Sequence, residues 1–248
     1  MTPIGHFMSA SAVAGSLDLI SKRNTFLCFA YYLLFLIIFY VTTLFFNPGP
    51  WAMYLHDQFG NVALLFFIIF WGRKDEKKQY FVAILIGAQI LSAYTHIFDV
   101  LALKLLGEIP TGMWRPHNIM HTPFAALLVS LIVLPVISFL MKNKNFKALY
   151  FYLVLGYLLH IFADTITYNY QIYPLWPISS FHFALIDFFQ RPEVVSNFLG
   201  NPLYIFSQPS VENIDGFIVY QAEVAVNFLL AAFFIIKYWS DRLLKRNP

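Results

Sequence analysis

Five of the seven histidines, His56, His96, His117, His121 and His160, fall with Asp99, Asp164 and Glu223 in or beside apolar segments. An ionisable side chain is costly in such surroundings, and where one persists inside a membrane segment it is usually functional. Neutral imidazole together with carboxylate is the ligand set that suits zinc and related divalent ions. Three local spacings sharpen the point. His117-x-x-x-His121 and His160-x-x-x-Asp164 are i,i+4 pairs and His96-x-x-Asp99 is an i,i+3 pair, so each pair shares one face if its segment is helical. Facing helices that each supply such a pair are how bundles build metal sites in their cores. One pair alone is weak evidence. Three at one depth point to a site for one or two divalent ions, zinc first.

The composition says what must position them. The chain has 248 residues, 59% hydrophobic, 19% aromatic and 12% charged, with mean hydropathy +0.65. A soluble domain carries about twice that charged fraction, so the length reads as one polytopic membrane domain over 1–248. Apolar runs long enough to cross a bilayer predict about six spans. They lie near 24–46, 51–72, 80–106, 119–141, 147–168 and 217–238. The third is longer than a span requires, which predicts a break or tilt near His96–Asp99. The fold class expected is therefore all-α: a multi-pass helical bundle with additional interfacial helices.

Basic residues set the orientation. Lys22-Arg23, the group Arg73, Lys74, Lys77 and Lys78, then Lys142, Lys144 and Lys147, and finally Lys237, Arg242, Lys245 and Arg246 all fall on one side if the spans alternate. By the positive-inside rule that side is cytoplasmic, with both termini. The opposite ends then hold His56, His96 with Asp99, His117 with His121, His160 with Asp164, and Glu223, in one layer toward the extracytoplasmic face. The net charge of +3, spread over short loop clusters, is topology information and not a nucleic-acid footprint. Cys28 is the single cysteine, so neither an intrachain disulfide framework nor a thiolate metal site is expected. The first long apolar run follows Lys22-Arg23, is too long for a signal-peptide core and lacks a small-residue cleavage site, so no removable leader is expected.

Plainer roles compete at several positions. A lone membrane histidine often just hydrogen-bonds a neighbouring helix, an even alternative for His56 and the favoured one for His182. His6 falls on the inner side, in a weakly amphipathic helix over 1–20, and reads as a surface residue. Glu223 could make a structural ion pair, Asp57 could cap a helix, and Lys104 is near enough to the interface to snorkel. Arg115 is either an interfacial anchor or a clamp for an anionic substrate. The segment 169–216 is too charged and proline-broken to span. Its Tyr173-Pro174-Leu175-Trp176-Pro177 stretch has the aromatic character of an interfacial anchor, and 179–206 is expected to hold short helices lying on the membrane.

The run Leu153-Val154-Leu155-Gly156-Tyr157-Leu158-Leu159-His160-Ile161-Phe162-Ala163-Asp164, followed by Tyr173-Pro174-Leu175-Trp176-Pro177, resembles the signature of the YdjM-type membrane-bound metal-dependent hydrolases. That signature is a G-Y-L-S-H-x-x-x-D helix, a Thr soon after the Asp, here Thr165 or Thr167, and a P-L-L-W-P turn. Arg115-Pro116-His117-Asn118-Ile119-Met120-His121-Thr122 looks like the family's H-R-G-x-T-H-S element. His56 and the His96/Asp99 pair are spaced much as its first-helix His and its acid-rich element. The resemblance covers about 51–180, with 1–50 an added N-terminal segment and first span, and 181–248 an interfacial segment and last span. There are departures. Alignment on His121 puts His117 at the family's Arg and Pro116 at its first His, and Thr95-His96-Ile97-Phe98-Asp99 trades one acid for an imidazole.

The resemblance implies metal-activated hydrolysis of a lipid or lipid-linked phosphoester or other ester at the outer interface, because the family is described as distantly similar to zinc phospholipases C and nucleases. His56, His96, Asp99, His117, His121, His160 and Asp164 are the metal-ligand candidates, with His160 and Asp164 carried over most directly. Asp99 or Glu223 would take a proton, and Arg115 would stabilise developing negative charge. The expected partners are the bilayer and its lipid substrate. Two rival classes stay open: a proton- or metal-coupled transporter, and a non-catalytic protein with a structural metal. A di-iron lipid hydroxylase is disfavoured by the lack of an adjacent His-His pair.

Overall fold

A computed structural model of the chain describes residues 3–31, 34, 72–73, 75–91, 96–167, 173–179 and 236. Every regular element among them is helical, with no strand. They are α1 (Pro3–Ser16), α2 (22–31), α3 (Glu76–Leu85), a π-helical turn (Ile86–Leu91), α4 (His96–Leu106), a 3₁₀ turn (Gly112–Trp114), α5 (Pro116–Met120), α6 (Pro123–Met141) and α7 (Phe146–Thr167). The expectations for His56, Asp57, His182, Glu223 and the spans at 51–72 and 217–238 lie outside the described residues, as does most of 24–46.

Two helices, Pro123–Met141 and Phe146–Thr165, are long and apolar enough to cross a membrane by length and composition. They match the fourth and fifth expected spans. The outward stripe of α6, which includes Leu128, Leu131, Ile132, Val136 and Phe139, is exposed. So much exposed apolar surface on one helix marks a face made for a partner or a membrane.

α7 is the centre of the architecture. It packs against α3, the π-helical turn, α6 and α1. Leu149 and Leu153 on its inner face are fully buried in one core with Ile84, Leu85, Met8 and Met141, and Tyr157 is fully buried in a second with Ala126 and Ile161. Its crossing with α3 is a backbone contact. A Cβ on Gly156 would lie 2.0 Å from the Ile84 carbonyl oxygen, and one on Gly87 would lie 2.2 Å from that of Leu153. Only a pair of glycines lets two helices approach so closely. The contact lies one turn before His160 and thereby fixes the height of that side chain.

Local chemistry sets the ends of the elements. The Asp75 side chain caps α3 by accepting from the Lys78 backbone N at 2.9 Å and pairs with the Lys78 ammonium. Burial pushes the Asp75 carboxyl up, but the hydrogen bonds and charge of Lys78 outweigh it and hold the group below its ordinary value. Thr122 caps α6 through Ala125 N at 3.1 Å, with Pro123 at the first helical position, where a missing N–H costs nothing. At the other end Lys142 takes the left-handed conformation that terminates the helix.

The segment expected as the third span becomes π-helical at Ile86–Leu91 and α4 begins at His96, with residues 92–95 between them outside the described residues. One expectation is corrected. The N-terminal helix is not a surface element. Phe7, Met8, Ala10, Ala12 and Ala14 are buried in the main core. Small side chains at positions 9–12 and 14 let α1 nest among α3, the π-helical turn and α7. Its weak amphipathicity signalled burial on most sides, not a helix lying on a surface.

Candidate metal centre

His160 projects from α7 beside the glycine crossing. Its Nδ1 lies 2.8 Å from the Ala88 carbonyl oxygen within the π-helical turn. A carbonyl only accepts, so Nδ1 carries a proton, and in the neutral imidazole that binds metals Nε2 presents a lone pair. One turn on, Asp164 places Oδ2 3.0 Å from that Nε2. The expected i,i+4 pair is present, on one face and buried, with His160 and Asp164 each 4% exposed.

His121 reaches the same point from a different direction. It forms the C-cap of α5, between Met120, whose carbonyl accepts from the Tyr157 hydroxyl at 2.8 Å, and the capping Thr122. Its Nδ1 donates to the His117 carbonyl at 2.9 Å, which again leaves Nε2 as the inward lone pair. That Nε2 lies 3.3 Å from Nε2 of His160 and 3.3 Å from Oδ2 of Asp164. The helix expected to carry both His117 and His121 ends at Met120 and restarts at Pro123. The pair nevertheless stays adjacent, with rings stacked at 4.2 Å.

Three acceptor atoms on separate side chains therefore form a triangle with edges of 3.0, 3.3 and 3.3 Å. With both Nδ1 protons committed to carbonyls, two imidazole lone pairs and a carboxylate face one another in a buried space. Such an array is repulsive unless a cation is placed in it. A tetrahedrally bound ion with bonds of about 2.0–2.1 Å holds its ligand atoms about 3.3–3.4 Å apart. The donor set and its spacing fit zinc or a similar ion, with one position left over.

His6 also belongs to the centre, contrary to its expected place on the inner surface. It is 3% exposed, its Nε2 lies 3.1 Å from Oδ1 of Asp164, and its ring stacks on His160 at 3.8 Å. His6, His160 and Asp164 offer ligand atoms within 4.8 Å of one another and could hold a metal ion. The nearly parallel rings, 20° apart, aim their nitrogens at different oxygens of one carboxylate instead of converging. That favours His121, His160 and Asp164 as the residues that would touch an ion, with His6 steadying the far oxygen of Asp164. His6 Nδ1 is buried with no hydrogen-bond partner among the described residues. No spacing rule could have found His6, since its contacts are to residues about 150 positions away. The available signal was a histidine in a helix of small residues.

Asp99 and Arg115, two further predicted residues, lie beside His117. Asp99 is 5% exposed, and its Oδ2 accepts from Arg115 Nε at 2.8 Å and Nη2 at 2.7 Å. Its Oδ1 accepts from the His117 backbone N at 3.0 Å. Asp99 and Arg115 are thus brought to each other. His96 begins α4, and nothing is described of its side chain. The Tyr173–Pro177 stretch folds back so that Trp176 packs on Trp114 at 6.1 Å and on Phe124 at 5.5 Å. Tyr173 is buried, which pushes its phenol up and keeps it neutral.

Comparisons with protein-family models, with curated proteins and with solved structures find no match.

Proposed function

We propose that this chain is a multi-pass membrane metalloprotein that hydrolyses a lipid or lipid-linked phosphoester at the outer membrane boundary. The observation that carries the reading is the triangle of His121 Nε2, His160 Nε2 and Asp164 Oδ2, with both imidazole tautomers set by backbone carbonyls. Three protein donors with a position to spare are the arrangement of catalytic zinc sites. A divalent ion bound there would lower the pKa of a coordinated water toward neutrality and polarise the scissile group. His121, His160 and Asp164 would hold it, and His6 would orient Asp164 from behind. The hydrolase assignment rests on the resemblance of the Gly156–Asp164 run and the Tyr173–Pro177 turn to the YdjM-type signature. Glu223 and His56, named from sequence as proton acceptor and ligand, keep those roles in the proposal.

One observation favours a second reading. His6, His121, His160 and Asp164 are each under 5% exposed, which suits a structural ion as well as a catalytic one. The test is hydrolysis of a panel of phospholipids and lipid-linked phosphates by purified protein loaded with zinc, cobalt or manganese. Turnover that requires metal and is lost in Asp164→Ala supports the hydrolase. Tight metal binding with no turnover on any phosphoester or carboxylic ester would leave the structural reading standing in its place.

A further inference from the structure

We infer that Asp99 is a positioning residue for the metal centre, acting through the peptide group of His117. The inference rests on the metal-binding reading of His121, His160 and Asp164.

The argument begins with what Asp99 touches. Its carboxylate is 5% exposed and receives three N–H donors: Nε and Nη2 of Arg115 on Oδ2, and the His117 backbone N on Oδ1. Both oxygens are engaged by donors, which suits an anchor rather than a ligand or a proton acceptor. His117 N lies in the first turn of α5, where backbone N–H groups have no partner inside the helix. A charged acceptor there makes a hydrogen bond about twice as strong as a neutral one. Arg115, the residue that starts the turn, holds the other side of the same carboxylate. Asp99 on α4 thus clamps both ends of the Arg115–His117 segment.

The other face of His117 completes the connection. Its carbonyl accepts the Nδ1 proton of His121 at 2.9 Å, and that bond decides which nitrogen of His121 faces Asp164 and His160. It also sets the plane of the ring. The path therefore runs from Arg115 through Asp99 and the His117 residue to Nε2 of His121, all of it buried beyond the half-exposed guanidinium. α5 has five residues and is too short to hold itself in shape. Without Asp99 the His117 carbonyl would keep its identity but lose its fixed position. Acceptors that orient a metal-bound imidazole typically account for 10- to 100-fold in metal affinity.

Cobalt(II) titration of the full-length protein in detergent, followed by visible absorption, reads both affinity and coordination geometry. Asp99→Ala is expected to weaken cobalt binding about 10- to 100-fold and to alter the d–d bands. Asp99→Asn keeps an oxygen acceptor facing His117 N but turns its NH2 toward the Arg115 donors, so it is expected to fall between wild type and Asp99→Ala in affinity. Asp99→Ala with wild-type affinity and spectrum would overturn the inference, and so would Asp99→Asn as impaired as Asp99→Ala. If Asp99→Ala does not fold, the Asn variant and Arg115→Gln carry the comparison. Arg115→Gln loosens the clamp at the Oδ2 end while leaving Oδ1 on His117 N, and is expected to fall between wild type and Asp99→Ala. A wild-type spectrum and affinity in Arg115→Gln, together with a disrupted Asp99→Asn, would count against the path. Cobalt binding that survives His160→Ala intact would sink the metal centre itself, a failure distinct from that of Asp99.

Discussion

Replacing Gly156 by Ala tests the geometry that sets the height of the site, because two physical effects predict opposite signs. Helix propensity alone favours Ala over Gly by about 0.8–1.0 kcal/mol. The structure predicts the reverse. The new methyl would sit 2.0 Å from the Ile84 carbonyl oxygen and 2.8 Å from its carbon. Reaching an ordinary contact of about 3.4 Å requires α3 and α7 to separate by roughly 1.4 Å, and overpacking of this kind typically costs about 1–3 kcal/mol. His160 lies one turn further along α7, and its bond to Ala88 is 2.8 Å. An opening of that size carries the bond beyond hydrogen-bonding range and removes about 1 kcal/mol more. The sum is a loss of about 2–4 kcal/mol against a propensity gain of under about 1. For a chain of this size the net loss of about 1–3 kcal/mol lowers the melting temperature by roughly 2–12 °C. Metal affinity should fall about tenfold or more, because His160 loses the carbonyl that fixes its tautomer. Thermal melting in detergent and a zinc competition titration measure the two effects. A Gly156→Ala protein that melts at or above the wild-type temperature with unchanged zinc affinity would refute the backbone crossing.

Further outcomes follow from the same geometry. His121→Ala should abolish tight metal binding, whereas His6→Ala should weaken it about tenfold, the effect of losing an outer-shell partner; the reverse ranking in a zinc titration would place the ion in the His6, His160 and Asp164 set. Thr122→Ala removes the cap on Ala125 N and should cost about 1 kcal/mol, with Thr122→Ser close to wild type in the same melting assay. Imidazole and carboxylate must be deprotonated to bind a metal, so affinity should fall as the pH is lowered from about 8 to about 5 and binding should release protons. Calorimetry in buffers of different ionisation enthalpy counts them, and zero proton release at about pH 6 would argue against histidine ligands.

Sequence patterning identified the parts of the site that obey helical spacing. His160 and Asp164 lie four apart on one helix, and periodicity alone predicts their shared face. His117 and His121 were legible as a pair, but the helix carrying them is broken by Pro123 at the start of α6. The stacking of their rings is a property of the cap and not of a continuous helix. The side chain of His96, paired with Asp99 by spacing, lies outside what is described, and the described partners of Asp99 come from the Arg115–His117 segment. Local patterns do not encode such long-range partners. His6 was missed for the same reason. The orientation argument put it on the inner face because Lys22-Arg23 lies close behind in sequence, while α1 runs from the centre toward that basic edge. Residues 18–22 and 24 there line a cavity of about 750 Å³ with Asp75–Lys78. The close crossing, Gly156 on Ile84 and Gly87 on Leu153, could be read only as two isolated glycines until both helices were placed.

Metal content of the purified wild-type protein, set against His160→Ala and Asp164→Ala, tests the central claim most directly. A metal-binding triangle predicts about one divalent ion per wild-type chain, and two if His6 and the far oxygen of Asp164 hold a second. Both variants should be nearly metal-free while still eluting as folded protein. Equal, substoichiometric metal in all three would contradict the account.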